Sequence, residues 1–282
     1  MNLKTFSQNV KKEYQSKEGA RFFSERALLS AILEKAGFHR NALVLSPDEE
    51  IPLALEQKMF SDLEKLLSGY PIQYYLETEY FCGEEFFVSE NVLIPRPETE
   101  LLVKMAEERA VVGSTVFDFC CGSGCIGLSL AKKRKDLRVF LYDLSQDALN
   151  LTLKNREKLS LEPKTFVKKL DVLSEAVKDE ILTQKPSLIL SNPPYLTKGE
   201  MAEIDDNVKN EPAMALYGGE DGLLFYRRLV KISLETYVPI LCEMGSGQKK
   251  QMESLLAESG FEYEFYKDFS DFDRAFFACP KK

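Results

Sequence analysis

Asn192-Pro-Pro-Tyr195 is the stretch of this sequence whose residue types carry the most chemistry. Proline donates no backbone N–H and fixes φ, so the pair ends the buried strand read over Ser187 to Leu190. The residue before each proline is pushed towards extended geometry, which holds Asn192 and Pro193 out straight. A rigid tetrapeptide at the carboxyl end of a strand lies where open α/β sheets bind their ligands. It presents one amide side chain, unpaired backbone carbonyls and the aromatic face of Tyr195. Those parts match a planar group carrying –NH2: two acceptors take its two N–H bonds and the ring covers its face. The plainer reading is a Pro-Pro stop after a core strand.

The second grouping is Asp118-Phe-Cys-Cys-Gly-Ser-Gly-Cys-Ile-Gly127, between a strand and a helix. Gly122, Gly124 and Gly127 satisfy G-x-G-x-x-G, and Asp143 follows roughly 20 residues on, where an acid holds ribose hydroxyls. Alone, this fits an NAD-dependent oxidoreductase as well as a nucleoside-binding methyltransferase, and a tight turn accounts for it too. Asp118 tilts the choice, because an acid at the strand end suits a cationic amino group and opposes a pyrophosphate at a helix N-terminus. Hydride transfer also has no use for an amide-binding strand end. S-adenosylmethionine meets both conditions: its adenosyl group fits the loop, its ribose Asp143 and its adenine amino group Asp171.

The elements that must position these residues follow from periodicity. Residues up to about 76 have apolar positions at three- and four-residue steps, first from Phe22 to Ala36 with Gly37 as the stop. A second run from Pro52 sets Leu55, Met59, Leu63, Leu66 and Leu67 on one face, with Ser68-Gly69 ending it. From Thr78 the pattern changes to short aromatic strands about Gly83, followed by a strand over Asn91 to Ile94. Pro95 to Glu100 leads stiffly into a helix. Strands and helices then alternate: strands over Thr115–Phe119, Val139–Tyr142, Thr165–Lys169, Ser187–Leu190, Ile240–Met244, Phe261–Tyr266 and Ala275–Ala278. Ser145 reads as the N-cap of the helix after Asp143. The expected architecture is a largely parallel sheet covered on both faces.

At 282 residues the chain exceeds one average domain. The net charge of −8 argues against a general affinity for nucleic acid, which rests on neutralising phosphates. No apolar run approaches the ~18 residues of a membrane span, and Met1 to Lys17 is too polar for a signal peptide. A cytoplasmic monomer is the expectation. Cys82, Cys120, Cys121, Cys125, Cys242 and Cys279 read as free thiols. With His39 the single histidine and far from them, no metal site is expected.

With those residues in view, the chain resembles the bacterial release-factor glutamine methyltransferases, the HemK/PrmC family. The likeness rests on Pro71 to Glu77, Ile94-Pro-Arg-Pro-Glu-Thr-Glu100, Ser191 to Tyr195, Glu211 to Gly222 and Leu241 to Gly245. Asn-Pro-Pro-Tyr alone is shared with DNA adenine and cytosine amino-methyltransferases; its combination with the Pro95 and Glu211 segments is specific to this family. The resemblance implies an α/β fold with a seven-stranded, Rossmann-like class I methyltransferase sheet. It implies a helical, partner-docking domain over 1–76, a β-hairpin joint over 77–94 and the methyltransferase domain over 95–282. It further implies methyl transfer from S-adenosylmethionine to the glutamine amide of the Gly-Gly-Gln loop in class-1 release factors. By motif position Cys120, Cys121, Gly122, Ser123, Gly124, Asp143 and Val172 bind the cofactor, and Asn192, Pro193, Pro194 and Tyr195 bind the glutamine. Two positions depart from the family pattern: Cys120 stands for its first loop glycine, and Val172 for a residue that is often tryptophan. Competing readings are a nucleic-acid amino-methyltransferase, an NAD(P)-dependent oxidoreductase and a non-catalytic adapter.

Overall fold

Asn2 caps the first helix by accepting the Thr5 N–H at 2.9 Å, and Ser24 caps the second by accepting the Ala27 N–H at 3.2 Å. The computed structural model describes residues 1–17 and 22–281. These divide into two units, one of 1–78 with 205–210, the other of 79–204 with 211–282. The first holds α1 (Leu3–Ser16), α2 (Glu25–Lys35), α3 (Ala42–Leu45), α4 (Leu53–Leu67) and α5 (Ile72–Leu76). Phe6, Val10, Leu28, Ile32, Met59 and Leu63 form its core, so the stripe read from Pro52 onward is the buried face of α4. Helix α2 starts later than the apolar pattern implied, because the Ser24 cap excludes Phe22 and Phe23. Residues 205–210 belong to this unit, with Asn210 Nδ2 donating to the Gly69 carbonyl at 3.4 Å.

The second unit begins within the hairpin of β1 (Thr78–Phe81) and β2 (Glu84–Phe87), from Glu79 on. The hairpin groups with this unit because Phe81 and Phe86 are buried in its core. Then follow α6 (Glu100–Arg109), β3 (Thr115–Phe119), α7 (Cys125–Lys133), β4 (Arg138–Asp143), α8 (Gln146–Lys158), β5 (Thr165–Lys169), α9 (Ala176–Gln184) and β6 (Leu188–Ser191). The chain continues through α10 (Lys198–Glu203), α11 (Leu224–Thr236), β7 (Ile240–Glu243), α12 (Lys249–Glu258), β8 (Phe261–Lys267) and β9 (Asp273–Pro280). Asn91 to Ile94 is not a strand: the Ile94 N–H goes to the side chain of Glu211 at 3.1 Å, so no ladder forms.

The sheet has seven strands in the order β5-β4-β3-β6-β7-β9-β8. The first five are parallel, and β9 runs antiparallel to both its neighbours. Strands β3, β6 and β7 are buried along their whole length, as parallel strands covered on both faces must be. Alternation along each strand sorts their side chains between two cores. Val116, Val139, Leu141, Leu188 and Leu190 meet α6, α7 and the hairpin, while Phe117, Phe119, Phe140, Tyr142 and Ile189 meet α9, α11 and α12. No helix among the described residues is long and apolar enough to cross a membrane.

Helix α7 lies close on the sheet because Gly127 has no side chain. A Cβ there would meet Asp118 Oδ2 at 2.8 Å, Leu141 Cδ2 at 2.9 Å and Val139 Cγ1 at 3.1 Å. In an open helix Gly→Ala stabilises by about 1 kcal/mol. Here overpacking, at roughly 1–3 kcal/mol, opposes that gain and outweighs it. Gly127→Ala is therefore expected to lower Tm by a few degrees in a thermal melt; an unchanged or raised Tm refutes the packing argument.

Candidate active site

Parallel register decides where the chemistry collects. Phe119 lies opposite Tyr142 on one side and Ser191 on the other, so three neighbouring strands end together. The residues that follow, Cys120, Asp143 and Asn192, emerge side by side at the carboxyl edge.

The loop after β3 turns sharply through left-handed backbone at Cys120 (φ 57°), Gly122 (φ 55°) and Gly124 (φ 79°). For Cys120 that conformation costs about 1–2 kcal/mol, which is the physical reason a glycine suits the position. Its side chain packs against the core on the α11 side of the sheet. The loop is fixed from several directions. Gly122 N–H donates to Asp143 Oδ2 at 2.9 Å, and Thr152 Oγ1 donates to the Gly122 carbonyl at 2.8 Å. Asn155, fully buried on α8, donates to the Ser123 carbonyl at 2.9 Å and to the Phe87 carbonyl at 3.1 Å, and accepts the Phe87 N–H at 2.7 Å. Asp143 Oδ1 takes the Ser145 N–H at 2.9 Å. Burial pushes the Asp143 carboxyl up, against the N–H groups of Gly122, Ser145 and Leu144. Asp171 Oδ1 accepts the Leu173 N–H at 2.8 Å, and the buried Val172 presents its carbonyl to Arg228 Nε at 3.1 Å.

Asn192-Pro-Pro-Tyr195 is clamped by the segment 216–222. The Leu196 N–H donates to the Leu216 carbonyl at 2.9 Å, and the Gly218 N–H to the Leu196 carbonyl at 2.8 Å. A Cβ at Gly218 would lie 2.6 Å from both the Pro194 oxygen and Tyr195 Cα, so the two backbones touch only because Gly218 is bare. Gln248 Nε2 donates to the Tyr195 carbonyl at 3.1 Å and to the Gly222 carbonyl at 3.3 Å. Among the described residues no donor meets the Pro193 carbonyl. Asn192 Nδ2 points to Thr99 Oγ1 at 3.4 Å.

These strand ends open into one cleft enclosing about 1080 Å3 of empty space, part of it open to solvent. Of the residues singled out in the sequence, Cys120, Cys121, Gly122, Ser123, Asp143, Asp171, Val172, Asn192 and Pro194 line it together. Asp118, Gly124, Pro193 and Tyr195 lie off its wall. Asp118 points to the α7 side of β3, is fully buried, and accepts the Gly127 N–H at 2.9 Å through Oδ2. Burial pushes its carboxyl up to about 7, the Gly127 N–H opposes this, and the Asp143 charge adds to it. Tyr195 is half-buried against the α11-side core, with its phenol pushed up to about 12 by burial.

Sequence reasoning passed over the cleft residues Thr99, Met214 and Phe225, and the loop anchors Thr152 and Asn155. It also passed over a strap between two of the motifs it noted. Glu211, buried, accepts the Ile94 N–H at 3.1 Å and pairs with Arg96, joining two sides of the cleft. The joint presence of the Pro95 and Glu211 segments was the available signal.

Strand order and cleft together define a class I methyltransferase. The chain matches the family model for the methyltransferase small domain over residues 97–219. A release factor glutamine methyltransferase of Clostridium acetobutylicum is 37% identical over 89% of this chain and 88% of that one. Its namesake in Bacillus subtilis is 33% identical over 92% of each. The catalytic domain of hMettl16, solved with the MAT2A 3′UTR hairpin 6, shares the fold with a TM-score of 0.56 at 16% identity, covering 69% of this chain and 74% of that one. The chain belongs to the release factor glutamine methyltransferase family.

The strap yields a prediction. Glu211→Ala removes the acceptor of the Ile94 N–H and should raise hydrogen exchange at Ile94 by at least about tenfold, an open-state change of roughly 1.4 kcal/mol. Exchange at the wild-type rate means that other contacts hold 91–96 in place.

Proposed function

We propose that this chain transfers a methyl group from S-adenosylmethionine to the side-chain amide nitrogen of the glutamine in the Gly-Gly-Gln loop of class-1 peptide chain release factors. The observation that carries the reading is that Asn192 and Pro194 share a cleft with Asp143 and Asp171. An amide-binding strand end thus faces a nucleoside-binding pair of carboxylates. Family membership supplies the substrate class.

The donor set suits the cofactor. Asp143 would hold ribose hydroxyls, Asp171 the adenine amino group, and Val172 would give an apolar contact to the base. The backbone of Cys120 to Gly124 would pass beside it, with the Cys120 side chain packed against the core. Asp118 stands beneath the loop, and its Oδ1 is buried without a partner among the described residues. Its hold is on α7, the helix that follows the loop, through the Gly127 N–H. When bound, S-adenosylmethionine supplies an electrophilic methyl group on a sulfonium.

An amide nitrogen is a poor nucleophile because its lone pair is delocalised into the carbonyl. Asn192 Oδ1, on the cleft wall, accepts one N–H of the glutamine amide and so directs the nitrogen lone pair; the Pro193 carbonyl, off that wall, takes the second N–H only if residues 192–194 shift as the amide enters. The same acceptors stabilise positive charge as it develops on nitrogen. Tyr195, off the cleft wall, backs the tetrapeptide from the α11-side core. The methylated nitrogen is acidic and releases one proton to water, so no general base is needed.

The direct test is incubation with labelled S-adenosylmethionine, a class-1 release factor, and the same factor with its Gly-Gly-Gln glutamine replaced. Label is expected on the first alone; label on neither moves the substrate to exocyclic amino groups of nucleic acid. Asn192→Ala should lower kcat by about 10²–10³, the cost of one preorganised hydrogen bond at a reacting centre, and near-normal kcat would falsify that role. Asp143→Ala should weaken cofactor binding by about tenfold or more in calorimetry. Equal affinity removes Asp143 from the ribose.

A further inference from the structure

We propose that Thr99 and Glu243 are positioning residues: they fix which end of the Asn192 amide faces the substrate. The inference rests on the reading of Asn192 as an acceptor given above. It also accounts for two sequence segments, around Thr99 and around Glu243, that the reaction itself leaves without a task.

A side-chain amide presents an acceptor at one end and two donors at the other, and a half-turn exchanges them. For Asn192 that exchange is decisive, because an NH2 facing the glutamine nitrogen repels its hydrogens. Thr99 Oγ1 donates its single hydrogen to Glu243 Oε2 at 2.6 Å. Only lone pairs then remain on Oγ1. The group of Asn192 that approaches it at 3.4 Å must therefore be Nδ2, as observed, and Oδ1 is left for the cleft. The order carboxylate, hydroxyl, amide runs one way only while Glu243 is an anion.

Glu243 is an unusual residue for its place. It ends β7 at 2% exposure, where an apolar side chain would pack without desolvation cost. Thr99 is equally buried, at 2%. The titratable and charged groups whose charge bears on the carboxyl are Arg274 from β9, Arg96 and Glu98 from the stretch before α6, Tyr195 after β6, Tyr226 on α11 and Cys125 on α7. Burial pushes the Glu243 carboxyl up to about 7, with the Thr99 hydroxyl and the two arginines opposing and Glu98 adding to the rise. A protonated carboxyl has a hydrogen to give to Thr99. The hydroxyl is then released to donate to Asn192 Oδ1, and the amide turns over. The sign follows: the productive orientation is present above about pH 7 and is lost as Glu243 takes up its proton.

The test combines two readouts on the full-length chain. In protein carrying 15N-asparagine, the Asn192 side-chain NH2 signal is assigned by its loss in Asn192→Ala. That signal should titrate with a midpoint near 7 in the wild type, and not in Thr99→Val or Glu243→Gln. Wild-type kcat should fall about tenfold from about pH 8 to about pH 6, as a single group titrating midway requires. The fall should be absent in Glu243→Gln. Thr99→Val, which keeps the side-chain volume, should lower kcat by about tenfold with cofactor affinity unchanged, and Thr99→Ser should restore it. An Asn192 signal indifferent to pH in the wild type, or wild-type kcat in Thr99→Val, overturns the proposal. Should the wild-type chain label no release factor, the substrate reading fails, and the Asn192 titration, measured on the chain alone, still decides this one.

Discussion

The molecule's chemistry depends on the registered ends of parallel strands. Neighbouring parallel strands that end level with one another bring residues far apart in sequence to a common edge. Here β3, β4 and β6 stop in line, and the loop glycines, Asp143 and Asn192 follow at once. The same geometry separates roles within a strand. Phe119 turns to one core, and its neighbour Asp118 turns to the other, beneath α7. A single step along β3 thus divides a residue that holds α7 from the turn that faces the cleft.

Two close approaches of bare backbone then set the shape of that edge. Gly127 lets α7 lie on the sheet, with Asp118 gripping its N–H, and Gly218 lets a second segment lie along Pro194 and Tyr195. Gln248 completes the second contact by bonding both segments. The motif of two prolines is therefore held at its backbone, which leaves the Asn192 side chain as its polar group in the cleft.

Much of this was legible from residue types. Thr165–Lys169 is a strand over the range that the pattern indicated, and Ser145 caps its helix, taking the Ala148 N–H at 3.3 Å. The glycine loop, Asp143, Asp171 and Asn192 do meet in one cleft. What could not be read depends on partners distant in sequence. Asn91 to Ile94 has strand composition, but its N–H is claimed by a carboxylate in another segment. Helix α9 has a weak apolar pattern, with only Val177 and Ile181 buried. The insertion of β9 between β7 and β8 is a matter of sheet order, and no local period records it. The depth of Asp118 follows from which face of β3 it occupies, and the acid itself looks the same on either.

The ties that finish the cleft span long stretches of chain. Ile94 and Glu211 are 117 residues apart, and Thr99 and Glu243 are 144 apart. Contacts of such separation carry the largest loop-closure cost and arrive late in folding. A chain with its hairpin, helices and strand pairs in place, but without these ties, has a sheet whose cleft is unfinished. A ligand that binds the finished cleft adds its free energy to the closure of those loops.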